Sequence, residues 1–219
     1  MVRRKSQSKT MTIMFIDIVG YTNMSSRISR QKFDEMDDKF EEIALPMFER
    51  WNGWVVKKIG DCFMVAFESA TDSLHCASEL QNKFFEYNQS HPEIPIRIKA
   101  AINTGEVLIK KDDVYGETVN AVARLEKEAK PGQIVFSHST FLSMNKGEIP
   151  YVHLGKKRMK GLKFPMDIFR VKAAYEDELK RRKKKKESFF GFIWWIVALL
   201  IGGTVGYFGY LYLKSVGLF

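Results

Sequence analysis

Between residues 10 and 173 the apolar and polar positions change period several times, and each change marks an element. Residues 12–16 form an unbroken apolar run, as in a strand covered on both faces. Phe33, Met36, Phe40, Ile43, Ala44 and Met47 recur at helical spacing. Residues 54–59 and 62–67 are apolar runs joined by Gly60-Asp61, which predicts a hairpin. Residues 74–87 predict a helix, and residues 94–102 and 106–109 predict strands on either side of Thr104-Gly105. A helix over 119–129 is ended by Pro131-Gly132, and 134–136 and 166–171 predict further strands. This order of strands and helices is that of a split βαβ unit in an α+β domain.

A different pattern follows. Residues 189–213 are almost entirely apolar and uncharged, longer than the roughly 20 residues that cross a bilayer core. Trp194, Trp195, Tyr207, Tyr210 and Tyr212 suit its interfaces. The basic run from Lys180 to Lys186 lies before it and only Lys214 after it, so the charge rule places the preceding domain in the cytoplasm. Gly191, Ala198, Gly202, Gly206 and Gly209 share one face of this span and could let two copies approach closely in lipid. The predicted organisation is a basic tail (1–9), a folded domain (10–173), a charged connector (174–188), a transmembrane helix (189–213) and a short tail (214–219). The localisation it implies is a membrane, crossed once.

Charge sharpens this picture. The net charge is +9, yet the basic residues of the first nine positions and of the run at 180–186 more than account for it. The domain between them is close to neutral, which argues for anionic lipid rather than nucleic acid as the partner of the basic flanks. Cys62 and Cys76 are too few for a disulfide framework and stand in apolar surroundings, as small buried hydrophobes do.

Few residues carry candidate chemistry. Asp17 ends the first strand, where a carboxylate is costly to bury without a partner or a metal, although a turn or helix cap also suits it. Asp61 sits in the hairpin turn, equally natural for an aspartate. Together, two carboxylates at the ends of adjacent strands could hold two magnesium ions through hard oxygen ligands. Asn120 and Arg124 are four residues apart, so one helix face carries an amide and a guanidinium. Such a face could hold a ribose and a phosphoryl group, or could simply meet solvent.

Four segments narrow these alternatives. Met14-Phe15-Ile16-Asp17-Ile18-Val19-Gly20-Tyr21-Thr22 resembles the first metal motif of class III adenylate and guanylate cyclases, and Val56-Lys57-Lys58-Ile59-Gly60-Asp61 resembles their second. Asp113 to Arg124 resembles the purine and transition-state motif, and Met159-Lys160-Gly161 the late segment with a triphosphate-binding lysine. The four occur in the family's order and spacing. The resemblance implies a ferredoxin-like palm and an adenylate cyclase acting on ATP as a homodimer. It assigns Asp17, Asp61 and the Ile18 carbonyl to two divalent cations, Mg2+ or Mn2+. Lys57 and Asp113 would read the adenine, Asn120 would orient the ribose, Arg124 would stabilise charge at the phosphorus, and Lys160 would hold the terminal phosphates. The aspartates would come from one subunit and the other five residues from its partner. Lys57 and Asp113 match the adenine pair rather than the glutamate–cysteine pair of guanylate enzymes, which leaves a guanylate cyclase as the nearer alternative and a non-catalytic membrane scaffold as the remoter one. Lys58 replaces a frequent threonine and Asn103 a frequent histidine, neither with a catalytic role in the family. The four histidines are expected to be structural or on the surface.

Overall fold

The computed structural model describes residues 6–162 and 164–172. The chain divides into two compact units, Met1–Ala173 and Ala174–Phe219, and every described residue belongs to the first. The expected connector and span, 174–188 and 189–213, lie outside the described residues. Among the described residues no helix is long and apolar enough to cross a membrane.

The chain runs β1 (Gln7–Ile18), α1 (Tyr21–Ser25), α2 (Arg30–Arg50), β2 (Trp54–Ile59), β3 (Cys62–Phe67), α3 (Ala70–Ser90), β4 (Ile98–Lys110), β5 (Asp113–Tyr115), α4 (Glu117–Leu125), β6 (Ile134–Ser137), α5 (His138–Ser143), β7 (Tyr151–Lys157) and β8 (Met166–Val171). One mixed sheet has the order β2-β3-β1-β4-β6-β8-β7, with β5 paired to β4. The block β2-β3-β1-β4 is wholly antiparallel, and the β4–β6 pair is parallel. β1 passes through α2 to β2, and β3 passes through α3 to β4, so each crossover skips one strand. That is the split βαβ arrangement of an α+β palm.

The two faces of the sheet are covered unequally. On one face Phe40 and Phe48 of α2 and Phe84 of α3 pack against Phe63 and against Met14, Ile16 and Ile18 of β1, all buried. Phe40 lies 5.3 Å from Phe63 and 5.6 Å from Phe84, ring centre to ring centre. Ser29 and Ser69 cap α2 and α3 by accepting from the backbone N–H three residues on. The other face carries α4, whose Val122 and Leu125 cover Ile13, Met64 and Ala101. Phe15, Trp54, Val56 and Ile109 are only partly buried on that face.

The hairpin over 54–59 and 62–67 forms with the predicted limits. The strands predicted around Thr104-Gly105 form differently, as one continuous strand, Ile98–Lys110. Thr104 continues the ladder opposite Thr12, and the two hydroxyls lie 2.9 Å apart. Gly105 serves a close approach instead of a turn, since a Cβ there would stand 2.6 Å from the Thr118 hydroxyl. That hydroxyl donates to the Glu106 carbonyl at 2.7 Å, which seats the start of α4 on β4. Asn103, buried beside it, donates to the Thr118 carbonyl at 3.1 Å. Gly105→Ala should therefore destabilise the chain by about 1–3 kcal/mol, the cost of overpacking a tight contact. In urea unfolding, the double variant with Thr118→Ala should lose less than the sum of the two single losses, because it removes the clashing group.

Candidate active site

β1 carries its last charged side chain, Asp17, to the edge of the core. Antiparallel register places Cys62 on one side of Asp17 and Lys99 on the other. Cys62 begins β3 directly after the hairpin turn, so the same register brings Asp61 to Asp17. Their carboxyl groups are within hydrogen-bonding range. Burial, and then Asp61, push the Asp17 carboxyl above its ordinary range, and Lys99 offsets this only in part. The Lys99 ammonium is 3.2 Å from Asp17 Oδ2 and 2.5 Å from Glu126 Oε1. Burial pulls the Lys99 ammonium's affinity for its proton down, but Glu126 and Asp17 outweigh that and raise it. The Ile18 side chain is in the core, so only its backbone is available here.

Cys62 departs from the purely apolar setting expected for it. Burial, followed by Asp17, Glu126 and Asp61, pushes its thiol up to about 12. It is a neutral wall of the site rather than a nucleophile. Cys76 is buried, and both cysteines are free.

A second group forms further up the sheet. Lys57 Nζ donates to both carboxylate oxygens of Asp113, at 2.7 and 2.8 Å. Burial works to raise the Asp113 carboxyl, but Lys57, the Tyr115 hydroxyl and the Val114 N–H hold it below the usual range. The Lys57 ammonium also lies 5.7 Å from the Tyr115 ring centre.

The third group is on α4. Asn120 and Arg124 share a face, and Arg124 Nη1 donates to the Asn120 carbonyl at 3.2 Å. They stand between two cavities. One, of about 410 Å³, is also bordered by Asp17, Cys62 and Glu126. The other, of about 610 Å³, is bordered by Glu117, Gly161 and Asp167. Gly161 has φ +80, and a Cβ there would meet Arg124 Nη2 at 3.0 Å, so the turn bearing Lys160 runs close against the guanidinium. Lys160 itself is exposed. Within one chain the fold therefore joins Asp17 to Asp61, Lys57 to Asp113, and Asn120 to Arg124. Lys57 and Asp113 border neither cavity.

The pattern of the adenylate and guanylate cyclase catalytic domain matches residues 3–173. The chain belongs to this cyclase family. The chain is 26% identical over 171 residues to a putative adenylate cyclase of Rhizobium meliloti, covering 77% of the chain and 29% of that protein. It spans only 15–29% of the length of four curated relatives. The adenylyl cyclase CyaB of P. aeruginosa shares its fold with a TM-score of 0.69 at 25% identity, over 78% of this chain and 97% of that one. The catalytic core of a rhodopsin-guanylyl cyclase with converted specificity, in complex with ATPαS, does so with a TM-score of 0.70 at 25% identity, over 77% and 99%.

The donors of this site fit a pair of divalent cations in one respect: two carboxylates crowd together, and a single ammonium, that of Lys99, lies between Asp17 and Glu126. Among the described residues no three His, Cys, Asp or Glu side chains could together hold a metal. Further ligands would have to be backbone oxygen, nucleotide or water. Lys99 and Glu126 escaped the sequence reading, although a lysine inside the apolar stretch before Ile102 was a visible signal. Two of the histidines form surface pairs, His75 with Glu148 at 2.9 Å and His153 with Asp167 at 3.1 Å.

A consequence for stability follows from Asp17. Because folding raises its carboxyl above the ordinary value, the fold favours the protonated form. The associated stability is present at low pH and lost as pH rises through that window. Without divalent cations, Asp17→Asn should raise the thermal midpoint at pH 7.5, and the gain should shrink as the pH is lowered towards the carboxylate range. Added Mn2+ should raise the midpoint of the wild type and not of the variant.

Proposed function

We propose that this cyclase converts ATP to 3′,5′-cyclic AMP and pyrophosphate, at sites shared between the two copies of a homodimer. The observation that carries this reading is the crowding of Asp17 and Asp61 at the end of the sheet. Divalent cations at such a carboxylate pair supply a lower pKa for the ribose 3′-hydroxyl and charge neutralisation at the phosphates. The hydroxyl proton leaves, its oxygen bonds to the α-phosphorus in line, and the bond to the pyrophosphate oxygen breaks. Arg124 offers donors where charge develops on the phosphorus, and Asn120 orients the ribose from the same helix face. Lys160, on the turn beside Arg124, is the cation for the terminal phosphates.

Base choice rests on Lys57 and Asp113. An ammonium and a carboxylate held together at 2.7 Å present one donor and one acceptor side by side. Adenine offers a ring acceptor and an amino donor in that order, whereas guanine reverses the polarity at the carbonyl edge. This favours ATP over GTP.

Two observations favour a second copy. Lys57 and Asp113 do not border the cleft of their own Asp17, so a partner has to bring them to a nucleotide bound there. Apolar surface also surrounds them: Ile59 is 56% and Tyr115 48% exposed, beside the partly covered Trp54 and Val56. Outside the described residues, the apolar run 189–213 and the basic run before it support attachment to a membrane with the catalytic domain on the cytoplasmic side.

Arg124 borders the cleft of its own Asp17, so same-chain and cross-chain sites need separating. Asp17→Ala and Arg124→Ala should each abolish cyclisation. When the two variants are co-expressed, roughly half the dimers are mixed, and each mixed dimer has one site with both lesions and one with neither. About a quarter of wild-type activity should then return. Continued inactivity despite isolated mixed dimers would place each site within one chain.

A further inference from the structure

Lys58 is where the chain departs from its family's motif, and the structure gives it unusual surroundings. It lies in β2 three residues before Asp61. Its ammonium is 2.6 Å from Asp37 Oδ2 and 2.8 Å from Glu41 Oε1, two carboxylates one turn apart on α2. Its side chain is only 20% exposed, and the ammonium stands 5.6 Å from the ring centre of Phe63, a core residue of β3. The other oxygen of Asp37 accepts from the Tyr21 hydroxyl at 3.4 Å. Tyr21 begins α1, four residues after Asp17, and its ring lies 4.6 Å from that of Phe33 on α2. One carboxylate on α2 thus holds both the strand leading to Asp61 and the segment leaving Asp17.

The turns themselves are not wedged in place. Gly20 and Gly60 have φ values of +80 and +60, and a Cβ at either would meet nothing within 4 Å. The position of each carboxylate therefore depends on what is tied down beside its turn. A cation that had to order both turns while overcoming the repulsion of the two carboxylates would bind more weakly.

We propose that Lys58 is a positioning residue: through Asp37 it locks the turn bearing Asp61 to the segment following Asp17, so that the two carboxylates are set for a divalent cation before one arrives. The proposal rests on the reading of Asp17 and Asp61 as cation ligands. It makes a prediction opposite in sign to that of charge alone. A lysine near a cation site repels the cation, so removing its charge would by itself tighten binding. Removing a positioning contact weakens it.

The test is Mn2+ binding to the full chain without nucleotide, followed by the electron paramagnetic resonance signal of free Mn2+. Lys58→Met should bind Mn2+ about tenfold more weakly, within the range seen when a group supporting a metal ligand is lost. Lys58→Arg should restore most of the affinity, and KM for ATP at saturating Mn2+ should stay unchanged in both. Lys58→Met leaves Asp37 and Glu41 without their cation, so the double variant Lys58→Met/Glu41→Gln, which removes one charge of each sign, guards against misfolding and stray binding. It should show the same weakening. Affinity equal to or tighter than wild type in this double variant would overturn the positioning role. Asp61→Ala separates the two levels of the argument: if it binds Mn2+ like the wild type, the carboxylates are not the ligands and the role of Lys58 falls with them.

Discussion

Two neighbouring carboxylates repel, and the β1–β3 register brings Asp17 and Asp61 together at the end of the sheet. Asp17 is the end of a strand paired on both sides, and Asp61 is the tip of a hairpin whose own strand is one of those partners. The ladders on both sides fix Asp17, whereas Asp61, in the turn, depends also on the Lys58–Asp37 contact beside it. Burial first, and the neighbouring Asp61 second, raise the Asp17 carboxyl, and Lys99 offsets this only in part. A divalent cation bound between the two carboxylates would relieve the repulsion. Under the proposed function, stability is exchanged here for a cation site.

The rest of the architecture serves that constraint. α2 and α3 close one face of the sheet with packed aromatic rings, giving the strands a rigid base. α4 covers only part of the other face and aims Asn120 and Arg124 outward, beside the cleft that Asp17 borders. The uncovered remainder of that face carries Lys57 and Asp113 among partly exposed apolar side chains. The proposed function asks a second copy of the chain to bring Lys57 and Asp113 to the cleft that Asp17 borders.

Much of this was legible in the chain because it depends on local signals. The hairpin at Gly60-Asp61 follows from turn chemistry, and its position brings Asp61 to the end of β3. Asn120 and Arg124 share a face because helical spacing demands it. What stayed hidden depends on pairing across the chain. Lys99 faces Asp17 only through the β1–β4 register, and Lys58 meets Asp37 across 21 residues of sequence. Thr104-Gly105 looked like a break because glycine usually interrupts strands, and only the packing of Thr118 shows why it does not. The short elements β5, α1 and α5 are too brief to show a period, and β7 is exposed along nearly its whole length, so it carries no alternation to read.

The central claim is that the chain's folded domain cyclises ATP. Its most direct test is the fate of the three phosphates when the wild-type chain is incubated with ATP and Mn2+ and followed by phosphorus-31 NMR. Cyclic AMP and pyrophosphate should appear in equal amounts, faster than cyclic GMP and pyrophosphate from GTP. ADP with orthophosphate, faster turnover of GTP, or unchanged ATP would contradict the account.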